Sequence, residues 1–131
     1  MEEIRLSTDR RTQLIEITDQ VRAALNGATG TALLVYVPHT TAGVTINERI
    51  DPELVEDLEG AFEQIVEDRW AWRHDDADGP NGPSHGRASV VGPQVLVPLQ
   101  DGSLGLGTYQ GIFFCEFDGP RERKVYVSVL Q

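Results

Sequence analysis

The chain has 131 residues, 40% of them hydrophobic, with 11 basic residues against 21 acidic ones, a formal net charge of −10 and a pI near 4.6. That balance argues against nonspecific nucleic-acid binding, which needs clustered Lys and Arg, but leaves small phosphorylated substrates open. The single cysteine, Cys115, excludes an internal disulfide framework, and no window approaches the roughly 18 apolar residues of a membrane span.

A chain of this length suits one domain, expected over residues 1–131, and buries a core without a structural metal, so any metal would serve function. The N-terminal MEEIRLSTDRR carries no apolar stretch of a signal peptide, and a cytoplasmic location is expected. Between positions 48 and 68 nine acidic residues accompany the single basic Arg49, a pattern read as a solvated helix face.

In chain order, Ile4 and Leu6, then Ile15 and Ile17, alternate around a polar turn and predict a hairpin. Thr18 or Asp19 is placed to cap a short helix through Val21, Ala24 and Leu25, which Asn26-Gly27 would end. The continuous run TALLVYVP at 31–38 predicts a buried strand closed by Pro38, with His39 at its end. HTTAGVTINE at 39–48 is read as a loop. Asp51-Pro52 opens the best-supported helix, over about 52–69, with an apolar stripe at Leu54, Leu58, Ala61, Phe62, Ile65 and Val66. Gly60 inside it costs about 1 kcal/mol relative to alanine.

Residues 70–86, WAWRHDDADGPNGPSHG, predict a long functional loop bearing two of the three histidines. Strands are expected at 94–99, 109–117 and 124–130, with Asp118-Gly119-Pro120-Arg121 as the turn before the last. These elements define an α+β fold: a β-rich, mostly antiparallel sheet or sandwich with one long helix and one or two short helices.

His39, His74 and His85 are the residues best suited to metal binding or proton transfer near neutral pH. Neither a His-Glu-x-x-His helix nor a Cys-x-x-Cys pair is present, so spacing alone leaves a metal site and ordinary hydrogen-bonded histidines both open. Thr40 and Thr41 offer hydroxyls to a phosphate or to their own turn. Asp57 reads as a solvated acid on the helix. Ser84 lacks the glycine-framed elbow of a nucleophilic serine, Gly102, Gly105 and Gly107 do not match a dinucleotide fingerprint, and Cys115 in IFFCEF reads as a small buried hydrophobe.

The blocks HTTAGVTINE (39–48), Asp57, His74, NGPSH (81–85), DGSLGLGTYQ (101–110) and FDGPRERKV (117–125) occur in an order that resembles the YjbQ-like family, whose members resemble secondary thiamine-phosphate synthases. The resemblance covers the chain from about residue 31 onward. It implies a compact β-rich α+β fold, a homotrimer, and an enzyme with weak activity joining a pyrimidine-methyl diphosphate to a thiazole phosphate with release of pyrophosphate. The family's polar positions fall on His39, Thr40, Thr41, Asn47, Glu48, Asp57, His74, Asn81, His85 and Gln110. Of these, His85, His74, His39, Glu48 and Asp57 would carry the chemistry, and the others would bind substrate. The three histidines would hold a divalent ion, zinc or magnesium, to neutralise the departing diphosphate. Arg87 and Arg121 either assist on phosphate oxygens or make surface pairs. Tyr109 stands where the family usually has Trp, and Ser84 where it has Ala. Two other readings use the same residues: a metal-dependent hydrolase of a phosphorylated or acyl substrate, and a trimeric protein that binds an anionic metabolite without turnover.

Overall fold

The computed structural model describes residues 1–74 and 79–131. Among them lie the strands β1 (Glu2–Ser7), β2 (Gln13–Glu16), β3 (Ala32–Tyr36), β4 (Ala42–Glu48), β5 (Gln94–Gln100), β6 (Ser103–Leu104), β7 (Gln110–Glu116) and β8 (Glu122–Leu130). The helices are α1 (Thr18–Leu25), α2 (Pro52–Ile65) and α3 (Gly82–Val91). One sheet runs β1-β8-β3-β5-β6 and the other β2-β7-β4, with antiparallel pairing throughout. The architecture is the expected α+β sandwich.

Strand alternation explains the core. Leu33, Val35, Val125 and Val127 from the larger sheet meet Val44, Ile112 and Phe114 from the smaller one, with Val21 and Leu25 of α1 in the same cluster. The opposite face of β7 presents Phe113 and Cys115, which join Leu14, Phe117 and Ala88 under Val55, Leu58 and Phe62 of α2. Both faces of β7 are therefore covered, which is why GIFFCE reads as a continuous apolar run. Phe62 meets Phe117 edge to face at 5.5 Å. Cys115 is the buried hydrophobe expected, and desolvation raises its thiol pKa far above the ordinary range.

Several local expectations are corrected. The two N-terminal strands do not form the expected hairpin: β1 pairs with β8 in the larger sheet and β2 with β7 in the smaller. Residues 42–48, read as loop, form β4, an edge strand of the smaller sheet; Val44 and Ile46, alternating with Thr45, were its signal. Thr18 does not cap α1, because its Oγ1 accepts from Ile112 N at 2.9 Å and so binds the helix to β7. Helix α2 stops at Ile65 rather than near 69, and Ile65 itself is 56% exposed. Its inward side is Val55, Leu58, Glu59 and Phe62. Glu59 is buried, accepts from Leu14 N at 2.8 Å and pairs with Arg10.

The largest difference is α3, which begins inside the segment read as a long loop. Its buried side consists of Gly82, Pro83, Ser84, Arg87 and Ala88, so no apolar stripe betrays it. Packing explains the composition. A Cβ on Gly82 would lie 2.6 Å from Trp72 Cε3, and one on Gly86 would lie 2.9 Å from Val66 Cγ1. The two glycines let the Trp72 indole lie against the helix, while Pro83 suits the first turn.

Candidate active site

The turn after β3, the start of α3 and the β7–β8 turn converge on a cleft of about 450 Å³. Each is anchored by local chemistry. Ser84 Oγ donates to the Phe117 carbonyl, tying the first turn of α3 to the end of β7. Asn81 Nδ2 donates to Asp118 Oδ2 at 3.0 Å, and Arg121 donates to the same oxygen at 2.9 Å and to the Asp118 carbonyl at 2.8 Å. Asp118 thus holds Asn81 and Arg121 in fixed positions on the cleft wall.

Beneath them is a buried ion pair. Glu116, fully buried, accepts from Thr8 Oγ1, from Phe117 N and Asp118 N, and from Arg123 Nε at 2.8 Å. Arg123 Nη2 also donates to Glu116 Oε2 and, at 2.8 Å, to Thr41 Oγ1. Every oxygen of this carboxylate is satisfied, as a buried charge requires.

The histidines stand in two arrangements. His74 and His85 pack edge to face with ring centroids 4.9 Å apart. His85 lies on the first turn of α3, half-buried, rather than on a loop. His39 sits across the cleft and accepts from Lys124 N at its Nε2, 2.9 Å, which places its ring proton on Nδ1. Burial and the nearby Arg123 charge lower its pKa, so His39 is held neutral.

Of the residues singled out from sequence, His39, Thr40, Thr41, His74, Asn81 and Arg121 line this cleft together with His85. The others lie elsewhere in the chain. Glu48 pairs with Gln110 at the far end of the β4–β7 ladder, six residues from the Ala42–Glu116 pair beside the cleft, a separation of about 20 Å. Asn47 accepts from Glu48 N within β4, and Gln110 accepts from Gly107 N in the turn before β7, so both side-chain oxygens serve local contacts. Tyr109 is 62% exposed at the same end. Asp57 is exposed on α2.

Arg87 is corrected outright as a phosphate-binding residue. It is fully buried, and its guanidinium donates to the carbonyls of Phe62, Glu63 and Val66 and to Asp68. It caps the C-terminus of α2, where the last carbonyls run out of helical partners. Asp118 and Arg123 are cleft residues that sequence reasoning missed, as it missed Glu116 buried beneath them; all three lie within or beside the FDGPRERKV block that carried the resemblance.

The divalent ion implied by that resemblance finds no group of three His, Cys, Asp or Glu donors arranged to hold it among the described residues. His39 has Nε2 engaged with backbone, and Asp118 Oδ2 already takes two donors. Nδ1 of His39 is not engaged by that bond; the ion stays part of the proposal below, and no step is derived through it. Asp75, Asp76 and Asp78 lie outside the described residues.

A two-sheet α+β fold with a histidine-lined cleft at the β7–β8 turn defines a recognisable class. The family described as UPF0047 protein YjbQ-like matches residues 2–131, and the chain belongs to it. It is 41% identical to the UPF0047 protein YugU of Bacillus subtilis over 132 residues, covering 97% of this chain and 96% of that protein. A UPF0047 protein of Archaeoglobus fulgidus is 42% identical over 98% of this chain and 99% of its own. A crystal structure of a YjbQ/UPF0047 family protein from Clostridium acetobutylicum superposes with a TM-score of 0.91 at 38% identity, covering 99% of this chain and 100% of that one.

Proposed function

We propose that the cleft binds a small phosphorylated metabolite and catalyses departure of a phosphorylated leaving group by imidazole acid–base chemistry, the resemblance pointing to thiamine-phosphate synthesis. The observation that carries this is the His74–His85 pair beside Asn81, Asp118 and Arg121. In such a reaction the thiazole nitrogen attacks the methylene carbon of the pyrimidine-methyl diphosphate, the carbon–oxygen bond breaks, and pyrophosphate leaves with the electron pair. A protonated imidazole of the pair hands its proton to the leaving oxygen, and Arg121, held by Asp118, draws the anion into place. Neutral His39 presents Nδ1–H as a fixed donor.

The far-end residues Asn47, Glu48 and Gln110 would take part only from a neighbouring copy, and the proposed homotrimer supplies one. The outer face of the larger sheet leaves Tyr36, Leu96 and Leu130 exposed at 38%, 58% and 41%, apolar surface that an assembly would cover. Light scattering checks this against a protomer mass of 14.5 kDa. Among the described residues no helix is long and apolar enough to cross a membrane; the cytoplasmic location stays part of this proposal.

The deciding experiment is thiamine-phosphate formation by purified protein, with and without EDTA. Product formation that survives chelation supports imidazole catalysis. Activity lost on chelation and restored by zinc or magnesium moves the reading to a metal enzyme, and tight pyrophosphate binding with no product leaves a binding protein.

A further inference from the structure

The cleft has a second lobe. A cavity of about 340 Å³ opens on the other side of His39, Thr40 and His85, which line both lobes and form the waist between them. The two lobes differ in chemistry. The first is polar: among the described residues its wall holds Arg121, paired with Asp118, Arg123, paired with the buried Glu116 beneath it, and the side chains of His74 and Asn81.

The second is lined beyond the waist by Ala42, Ala88, Ser89 and Pro93. None of these is charged, and Ser89 turns its hydroxyl back on its own helix, donating to the His85 carbonyl at 2.9 Å. A wall of two alanines, a proline and an internally satisfied serine offers shape and dispersion contacts but no polar recognition.

We infer that the site takes a two-part ligand: a phosphomonoester or diphosphate head in the Arg121–His74 lobe and a flat, uncharged ring in the Ala42–Ala88–Pro93 lobe, joined at the His39–His85 waist. This deepens the proposed function and rests on it for the phosphate head. It adds that the scissile or newly formed bond lies between the two imidazoles, and that discrimination between substrates resides in the small side chains of β4 and α3.

Two probes separate the parts: inorganic phosphate, which fills only the head lobe, and benzyl phosphate, which adds a flat uncharged ring. In NMR titrations both should shift signals of His74 and Asn81, whereas benzyl phosphate alone should also shift the methyl signals of Ala42 and Ala88. Ser89→Phe, which fills the second lobe from its rim, should weaken benzyl phosphate about tenfold, as expected for expelling one partly buried ring, and leave inorganic phosphate unchanged. Equal affinities for both probes, with Ala42 and Ala88 unmoved in the wild type, would overturn the second subsite while leaving the phosphate site standing. If neither probe shifts His74 or Asn81, the proposed function falls and this inference with it. The wild-type titration decides the question even if Ser89→Phe fails to fold.

Discussion

The backbone N–H of Lys124 donates to Nε2 of His39 at 2.9 Å, joining the end of β3 to β8 through a side chain that also lines the cleft. This bond exists only while the ring is neutral at Nε2. Burial first, and the charge of Arg123 second, depress the pKa of His39 below its ordinary 6.5. The unfolded chain therefore binds a proton at this residue before the folded chain does, so stability falls as pH drops below about 6.5. Thermal unfolding from pH 8 to pH 5 should show wild type losing stability relative to His39→Gln across that window. Parallel pH curves would show that the bond contributes no linkage.

His85→Ala should fold, because the ring is half-buried on the outer part of α3 and makes its ring contact with exposed His74. The expected stability change is about 1 kcal/mol, against a loss of about a hundredfold or more in synthase rate for removal of an acid–base group. Melting curves and the product assay on the same preparation check both numbers. A variant that folds and keeps wild-type activity makes His85 a bystander.

Arg123→Met leaves Glu116 charged and fully buried without its cation, and should cost about 3–5 kcal/mol in urea unfolding. Adding Glu116→Gln should recover part of that loss, since the uncompensated charge disappears. Additive losses in the double variant would mean that the pair is not coupled.

Arg87→Met should destabilise by about 3 kcal/mol through the carbonyls it leaves exposed at the end of α2, with phosphate affinity per folded molecule unchanged. A large fall in phosphate affinity in the folded variant would return Arg87 to the site.

Two glycines should answer alanine with opposite signs. Gly60, inside α2 with nothing within 4 Å of a built Cβ, should gain about 0.5–1 kcal/mol as alanine. Gly82, whose Cβ would meet Trp72 at 2.6 Å, should lose about 1–3 kcal/mol. Denaturation midpoints of the two single variants test the contrast.

The sequence by itself determined the elements whose signals are periodic or chemical: the β3 run, the Asp51-Pro52 start of α2, the β8 alternation, the Asn26 stop of α1 in the left-handed conformation, and the α+β class. It also named all three histidines, because imidazole is scarce and its chemistry is distinctive. Only the tertiary structure decided what depends on who sits opposite. Helix α3 was hidden because it buries glycines and an arginine against Trp72 and the end of α2, contacts that leave no period in the chain. Arg87 and Arg121 read alike as sequence, yet the first caps a helix and the second meets the cleft, since a guanidinium takes its role from the nearest unsatisfied acceptors. Glu48 and Asp57 do not line the cleft of one chain because β4 carries the first away along its ladder and α2 turns the second to water, whereas the β7–β8 turn brings Asp118 and Arg123 into its wall.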